Sequence, residues 1–285
     1  MARPVMITAD TTCDMSPELL ERFRVATIPL TIVEGERQFK DGKDITADDI
    51  FEIYRARGVL PTTAAVTPAE YLAFFGSFVE RGMSVVHLNL SSALSSTHNN
   101  ACLAAKHLGN VTAVDTLSLC TGMALLICKA CDMRDAGLEA EEIGERLETL
   151  RPLVHTSFVI NTLEFLVKDG RCSALTAAGA TLLGIKPSIE MRDGMLREGK
   201  RYRGKLQSVF EQYARDKLTS CPDIDPSRIF LSHSGLGEEQ ISGILNVIRS
   251  CGDFGEIFVT RAGCTISSHC GPDTMAVMFM SEPNE

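Results

Sequence analysis

In the first half of the chain, short apolar runs end in loops of hydroxyl and acidic side chains, and a capped helical stretch follows each loop. Val5–Ala9 runs into Asp10-Thr11-Thr12-Cys13-Asp14, and Ser16-Pro17-Glu18 then offers an N-cap with proline in the first turn. Ser84–Leu90 runs into Ser91-Ser92-Ala93-Leu94-Ser95-Ser96-Thr97, with a helical stretch to about Leu108. Val111–Val114 runs into Asp115-Thr116, with a helix over Gly122–Gly137. Strands separated by helices of ten or more residues need a parallel sheet covered on both faces. The first half is therefore predicted to be a doubly wound α/β domain, with its loops at the strand ends where such sheets bind ligands.

Between these units, Val25–Val33 reads as one strand region and Phe39–Asp44 as a turn-rich connection. Thr46 should cap a helix to about Arg57. Thr67-Pro68-Ala69-Glu70 is a capping box starting a helix to about Arg81, which leaves Val59–Val66 as loop. The second half changes character. Thr156–Asn161 reads as a strand, Ser173–Leu183 as a small-residue helix, and Lys186–Arg203 as a hairpin turning at Asp193-Gly194. Leu206 to Leu218 has the apolar spacing of an amphipathic helix. Strands at Arg228–His233, Glu256–Arg261 and Met275–Met280, with a helix over Glu238–Cys251, complete an α+β unit. The expected division is residues 1–153 and 154–285, with the boundary near Arg151–His155.

Composition narrows the function. Of 285 residues, 28 are Lys or Arg and 37 Asp or Glu, a formal net charge of −9 that disfavours general binding to nucleic acid. No apolar run approaches the roughly 18 residues of a membrane span. Ten cysteines are spread along a chain whose opening, Met1-Ala2-Arg3-Pro4-Val5, runs straight into a strand, so reduced cytoplasmic thiols are expected. Cys128 and Cys131 have metal-like spacing but lie in an otherwise buried helix, with no second pair or histidine nearby in sequence, so they read as packing.

The candidate chemistry lies in hydroxyl loops. Thr62-Thr63, Ser95 just before a helix, and Ser267-Ser268-His269 in a predicted loop could receive an anion, since a helix N-terminus offers free N–H groups and a favourable dipole. Ser95 and His269 with Asp10 or Asp115 also suggest a serine-dependent acyl hydrolase or transferase, although no Gly-x-Ser-x-Gly elbow surrounds any serine. Glycine-rich phosphate loops are absent from the sequence. Between Lys168 and Lys205, nine basic residues outnumber four acidic ones in an acidic chain, which suits an acidic partner or a phosphate.

These motifs, in this order and spacing, resemble the DegV family of bacterial fatty-acid-binding proteins. The resemblance rests on Asp10-Thr11-Thr12-Cys13-Asp14, Pro61-Thr62-Thr63 with Thr67-Pro68 and Tyr71, Leu90 to Thr97, and Asp115-Thr116 with Gly122. It continues through Asn161 to Leu166 into Gly170-Arg171, Lys186-Pro187, Arg203-Gly204-Lys205 and His269-Cys270-Gly271-Pro272. The family's Thr-Ser-Gln-Pro-Ser is here Thr63-Ala64-Ala65-Val66-Thr67, and its Gly-Pro-Gly is Gly271-Pro272-Asp273.

The resemblance implies two α/β domains with one long-chain fatty acid between them and no cofactor. It further implies that Thr63, Ser95 and His269 hold the carboxylate. The chain would be a non-catalytic carrier presenting the acid to a separate ATP-binding fatty acid kinase for acyl-phosphate formation and phospholipid synthesis. Arg171, Arg203 and Lys205 would then serve kinase docking or the phosphate.

Overall fold

The computed structural model describes residues 3–170 and 184–283. The first half is built on a parallel sheet of order β2-β1-β6-β7, comprising β1 (Val5–Asp10), β2 (Val25–Ile28), β6 (Ser84–Asn89) and β7 (Val111–Asp115). Around it lie α1 (Pro17–Phe23), α2 (Ala47–Arg57), α3 (Pro68–Val79), α4 (Thr97–Leu108), α5 (Thr121–Asp135) and α6 (Ala140–Leu150). The capping signals act as expected. Ser16 accepts from the Leu19 N–H, and Thr46 and Thr67 form full capping boxes with Asp49 and Glu70.

Two expectations are corrected here. The region Val25–Val33 is not one strand, because Pro29 interrupts it and lacks the N–H a ladder requires. Beyond it, β3 (Thr31–Glu34) turns at Gly35 into β4 (Arg37–Lys40) and leaves the parallel sheet. The stretch Val59–Val66 is not all loop either. Its β5 (Thr62–Ala64) pairs with β3, placing Thr63 opposite Ile32 in a small antiparallel sheet of order β4-β3-β5.

The second half forms a mixed sheet of order β11-β10-β9-β14-β12-β13, with β8 (Val154–His155) also pairing with β14. Its strands are β9 (Ser157–Val159), β10 (Ile185–Arg192), β11 (Met195–Arg203), β12 (Arg228–His233), β13 (Glu256–Arg261) and β14 (Met275–Met280). The short α7 (Glu164–Asp169) follows β9, and the predicted Ser173–Leu183 helix lies outside the described residues. Helices α8 (Leu206–Thr219) and α9 (Glu238–Cys251) cover one face. Strand alternation decides which side chains go where: Met275, Val277 and Phe279 pack under α8 and α9, whereas Ala276, Met278 and Met280 face the first half.

What they face is α5, buried on nearly every side and wedged between the two sheets. Gly122 permits this approach, since a Cβ there would come within 2.0 Å of Thr156 Oγ1 and 2.2 Å of Ser118 Oγ. Cys128 and Cys131 are part of this buried surface, and burial pushes both thiols up to about 12. Among the described residues no group of three or more metal-ligating side chains forms. No described helix is long and apolar enough to cross a membrane.

Candidate functional site

The loops that end β1, β6 and β7 converge at one edge of the parallel sheet. Asp10 and Asp115 brace them from within. Asp10 Oδ2 accepts the Leu90 N–H at 2.9 Å, and Asp115 Oδ1 accepts those of Ser92 at 3.2 Å and Leu117 at 3.0 Å. Both carboxylates are thus engaged by backbone donors, with Asp10 completely buried and its pKa raised by that burial. Ser95 Oγ accepts the Thr97 N–H at 3.2 Å and bonds Thr97 Oγ1 at 2.9 Å, so Ser95, one residue before the N-cap Ser96, is tied to the start of α4 while lining a cavity.

His269 is placed differently from expectation. It sits not in a loop but in the last turn of a seven-residue helix, α10 (Cys264–Cys270). A helix this short, rich in Ser and Cys, gives no apolar periodicity by which sequence could reveal it. Its Nε2 lies 3.2 Å from Thr63 Oγ1 in a hydrogen bond joining positions 206 residues apart.

Thr63, Ser95 and His269 line one space of about 500 Å³ together with Ser92, Ser96 and Thr265. Among the described residues no acidic side chain lines it. The cavity is a polar mouth whose donors are neutral hydroxyls, an imidazole and the start of α4, a setting that stabilises an anion without an ion pair.

Leu90, Leu94, Thr265 and His269 also line a second, much narrower space of about 70 Å³, so the mouth continues inward. This slot lies between the two sheets, walled by Leu119, Phe158, Leu166, Leu196, Ala276 and Met278 among others. Its hydroxyl-bearing residues are internally satisfied: Ser232 Oγ bonds Thr121 Oγ1 at 2.6 Å and Thr260 Oγ1 at 2.9 Å, and Ser234 Oγ donates to Gly271 O at 2.5 Å. The slot therefore behaves as an apolar channel. Sequence reasoning missed Thr265 and the slot walls, because nothing local distinguishes a lining Ala or Met from a core one.

The predicted hairpin closes one side. Asp193 and Gly194 both have positive φ, 52° and 74°, as a two-residue turn of the I′ kind requires. Ser91 Oγ donates to Gly194 O at 2.7 Å, and a Cβ on Gly194 would fall 2.7 Å from that oxygen. Beyond the turn, Leu196 enters the slot wall.

The basic strip is less positive than its sequence. Lys168 pairs with Glu164, Arg192 with Glu190, Lys200 with Asp216 and Arg201 with Glu198. Arg203 and Lys205 are exposed, have no ion pair among the described residues, and line neither space. Arg171 lies outside the described residues.

A family model described as "Uncharacterised protein, DegV family" matches residues 4–282. The chain belongs to the DegV family. Among DegV relatives, a DegV domain-containing protein of Clostridium perfringens is 27% identical over 280 residues, covering 98% of this chain and 99% of that one. Solved DegV structures are similar throughout. The fatty-acid-binding DegV family protein from Thermus thermophilus has a TM-score of 0.90 at 27% identity, covering 98% of this chain and 100% of that one. The stearic acid-binding protein from Eubacterium ventriosum has a TM-score of 0.85 at 26% identity, covering 99% and 98%. Within this DegV chain, Asp10 and Asp115 hold loop amides and Ser95 bonds within its own turn.

Proposed function

We propose that this chain binds a single long-chain fatty acid, with its tail in the slot between the two sheets and its carboxylate at Thr63, Ser95 and His269. The observation that carries the reading is the continuity of a polar, acid-free mouth with an apolar slot, the two faces an amphiphile with one anionic head presents. Tail burial contributes roughly 0.8 kcal/mol per methylene, so the slot supplies most of the affinity. The head must still find donors. Hydroxyls and an imidazole hold it without a tight ion pair, which leaves it able to react.

In this reading the chain is a carrier and not the catalyst. Because the mouth opens toward solvent and the sequence has no phosphate-binding glycine loop, we propose that a separate ATP-dependent kinase reaches the carboxylate there and forms the acyl phosphate. Arg203 and Lys205, exposed beyond the mouth, would contribute to docking this partner in the cytoplasm. The division at residues 153 and 154 then separates two halves that each supply one wall of the lipid site.

Protein purified from a bacterial host is expected to release a fatty acid on denaturation, detected by mass spectrometry. Thr63→Ala and Ser95→Ala are each expected to weaken binding by roughly 1 to 3 kcal/mol. Unchanged affinity in both would place the head elsewhere.

A further inference from the structure

Helix α10 carries His269 at one end, and its other end is held in an unusual way. Its first three N–H groups are all taken by side chains from the first half of the chain. Asp14 Oδ1 accepts the Gly263 N–H at 2.8 Å, Asp41 Oδ1 that of Cys264 at 2.9 Å, and Asp41 Oδ2 that of Thr265 at 3.2 Å. Asp41 Oδ2 also accepts Thr265 Oγ1 at 2.6 Å and Thr11 Oγ1 at 3.1 Å. Both carboxylates are buried, at 6% and 2% exposure, and neither has an ion pair among the described residues. Asp41 is compensated by the amide and hydroxyl donors of the α10 first turn, and Asp14 holds one amide at its start. Gly263 makes room for them, since a Cβ there would stand 3.1 Å from Asp14 Oδ1 and 3.4 Å from Asp41 Oδ1. Cys264 Sγ adds a contact to Ile45 O at 3.1 Å, on the same loop as Asp41.

Thr265 and His269 are four residues apart, hence on one face of α10, and both line the mouth and the slot. Fixing Thr265 therefore fixes the direction in which His269 is offered.

We propose that Asp41, assisted by Asp14, is a positioning residue for head-group binding: it clasps the first turn of α10 so that His269, one turn on, meets the ligand carboxylate beside Thr63. This rests on the fatty-acid reading above. Neither aspartate touches the ligand. Asp41→Asn keeps the size of the side chain but turns an NH₂ group toward donors, the backbone N–H of Thr265 among them, so it loosens the clasp without opening a cavity.

The test compares hexadecanoic acid with hexadecanol, which shares the tail but lacks the charge. Asp41→Asn is expected to weaken the acid by about tenfold, the loss of one hydrogen bond to a charged group, and to leave the alcohol within about twofold. In a His269→Gln background the same substitution is expected to change acid affinity by less than about twofold, because the group it positions is gone. Equal losses for acid and alcohol, or full additivity with His269→Gln, would overturn the proposal. Should Asp41→Asn fail to fold, Thr265→Val removes the hydroxyl arm of the clasp, and a smaller loss confined to the acid is expected. The His269 ring signals in ligand-free protein give an independent readout: they move in either variant if the clasp sets the ring, and stay in place if it does not. Failure of the unaltered chain to take up either ligand would instead refute the fatty-acid reading, while the ring signals still decide the clasp.

Discussion

The mouth and the slot are neighbours built on opposite principles. In the mouth, polar side chains from β5, the loop after β6 and α10 point at a shared space, and small shifts there would change which donors meet an anion. In the slot, polar side chains are tied to one another, and what remains is an apolar channel whose shape follows from packing between two sheets. The contrast separates strength from placement. A tail gains free energy along the whole slot, whereas the head is oriented by few bonds, so each region is open to a different kind of damage.

The largest expected effect comes from filling the slot. Ala276→Phe puts a ring where a tail would lie, and losing burial of about four methylenes lowers affinity by roughly 200-fold. Titration with hexadecanoic acid checks this, with a thermal melt to show that the variant is folded. Next is the mouth, where Ser95→Ala is expected to lose roughly 1 to 3 kcal/mol by the same amount for twelve- and sixteen-carbon acids. A loss that grew with chain length would mean that head and tail are not separable.

A third effect concerns the wall between the two regions. Burial pushes the Asp14 carboxyl, beside the slot-lining Cys120, up from 3.8 to about 8. The folded state therefore binds a proton that the unfolded state has released. This stabilisation is complete below about pH 4 and fades as pH rises to about 8, with a slope of at most about 1.4 kcal/mol per pH unit. Asp14→Asn is expected to flatten the fall of Tm over that range, leaving the part due to Asp10, whose pKa burial also raises. An unchanged profile would mean that Asp14 is ionised in the fold. The smallest effect is outside both regions: Arg203→Glu is expected to alter lipid affinity by less than about twofold, because its exposed charge is screened and lines neither space.

How much of this was legible follows from how local each signal is. The helix caps at Thr46 and Thr67 and the turn at Asp193-Gly194 are written within four residues, and all three stand where they were expected. Thr63, Ser95 and His269 were named from the sequence and do line one space, yet the element carrying His269 was not foreseen. Helix α10 is held by Asp14 and Asp41 from 223 to 249 residues away, and that pairing leaves no mark in either segment. The β3, β4 and β5 sheet was missed for the same reason, since β5 is three residues long and exists through its partner. Helix α6 went unremarked although its buried positions, Ala140, Ile143, Gly144 and Leu147, have helical spacing. The basic strip was overread because Glu164 and Asp216, which neutralise two of its lysines, lie outside it in sequence.

The wedging of α5 between the sheets bears on how the chain is made. One face of that helix is covered by the strands of the first half, but the other waits for β12 and for β14, which ends at residue 280. A growing polypeptide that has completed its first 150 residues holds a finished parallel sheet and an uncovered greasy helix. Until β12 and β14 have both left the ribosome, that face lacks its full cover. The half that is synthesised first reaches its native burial last.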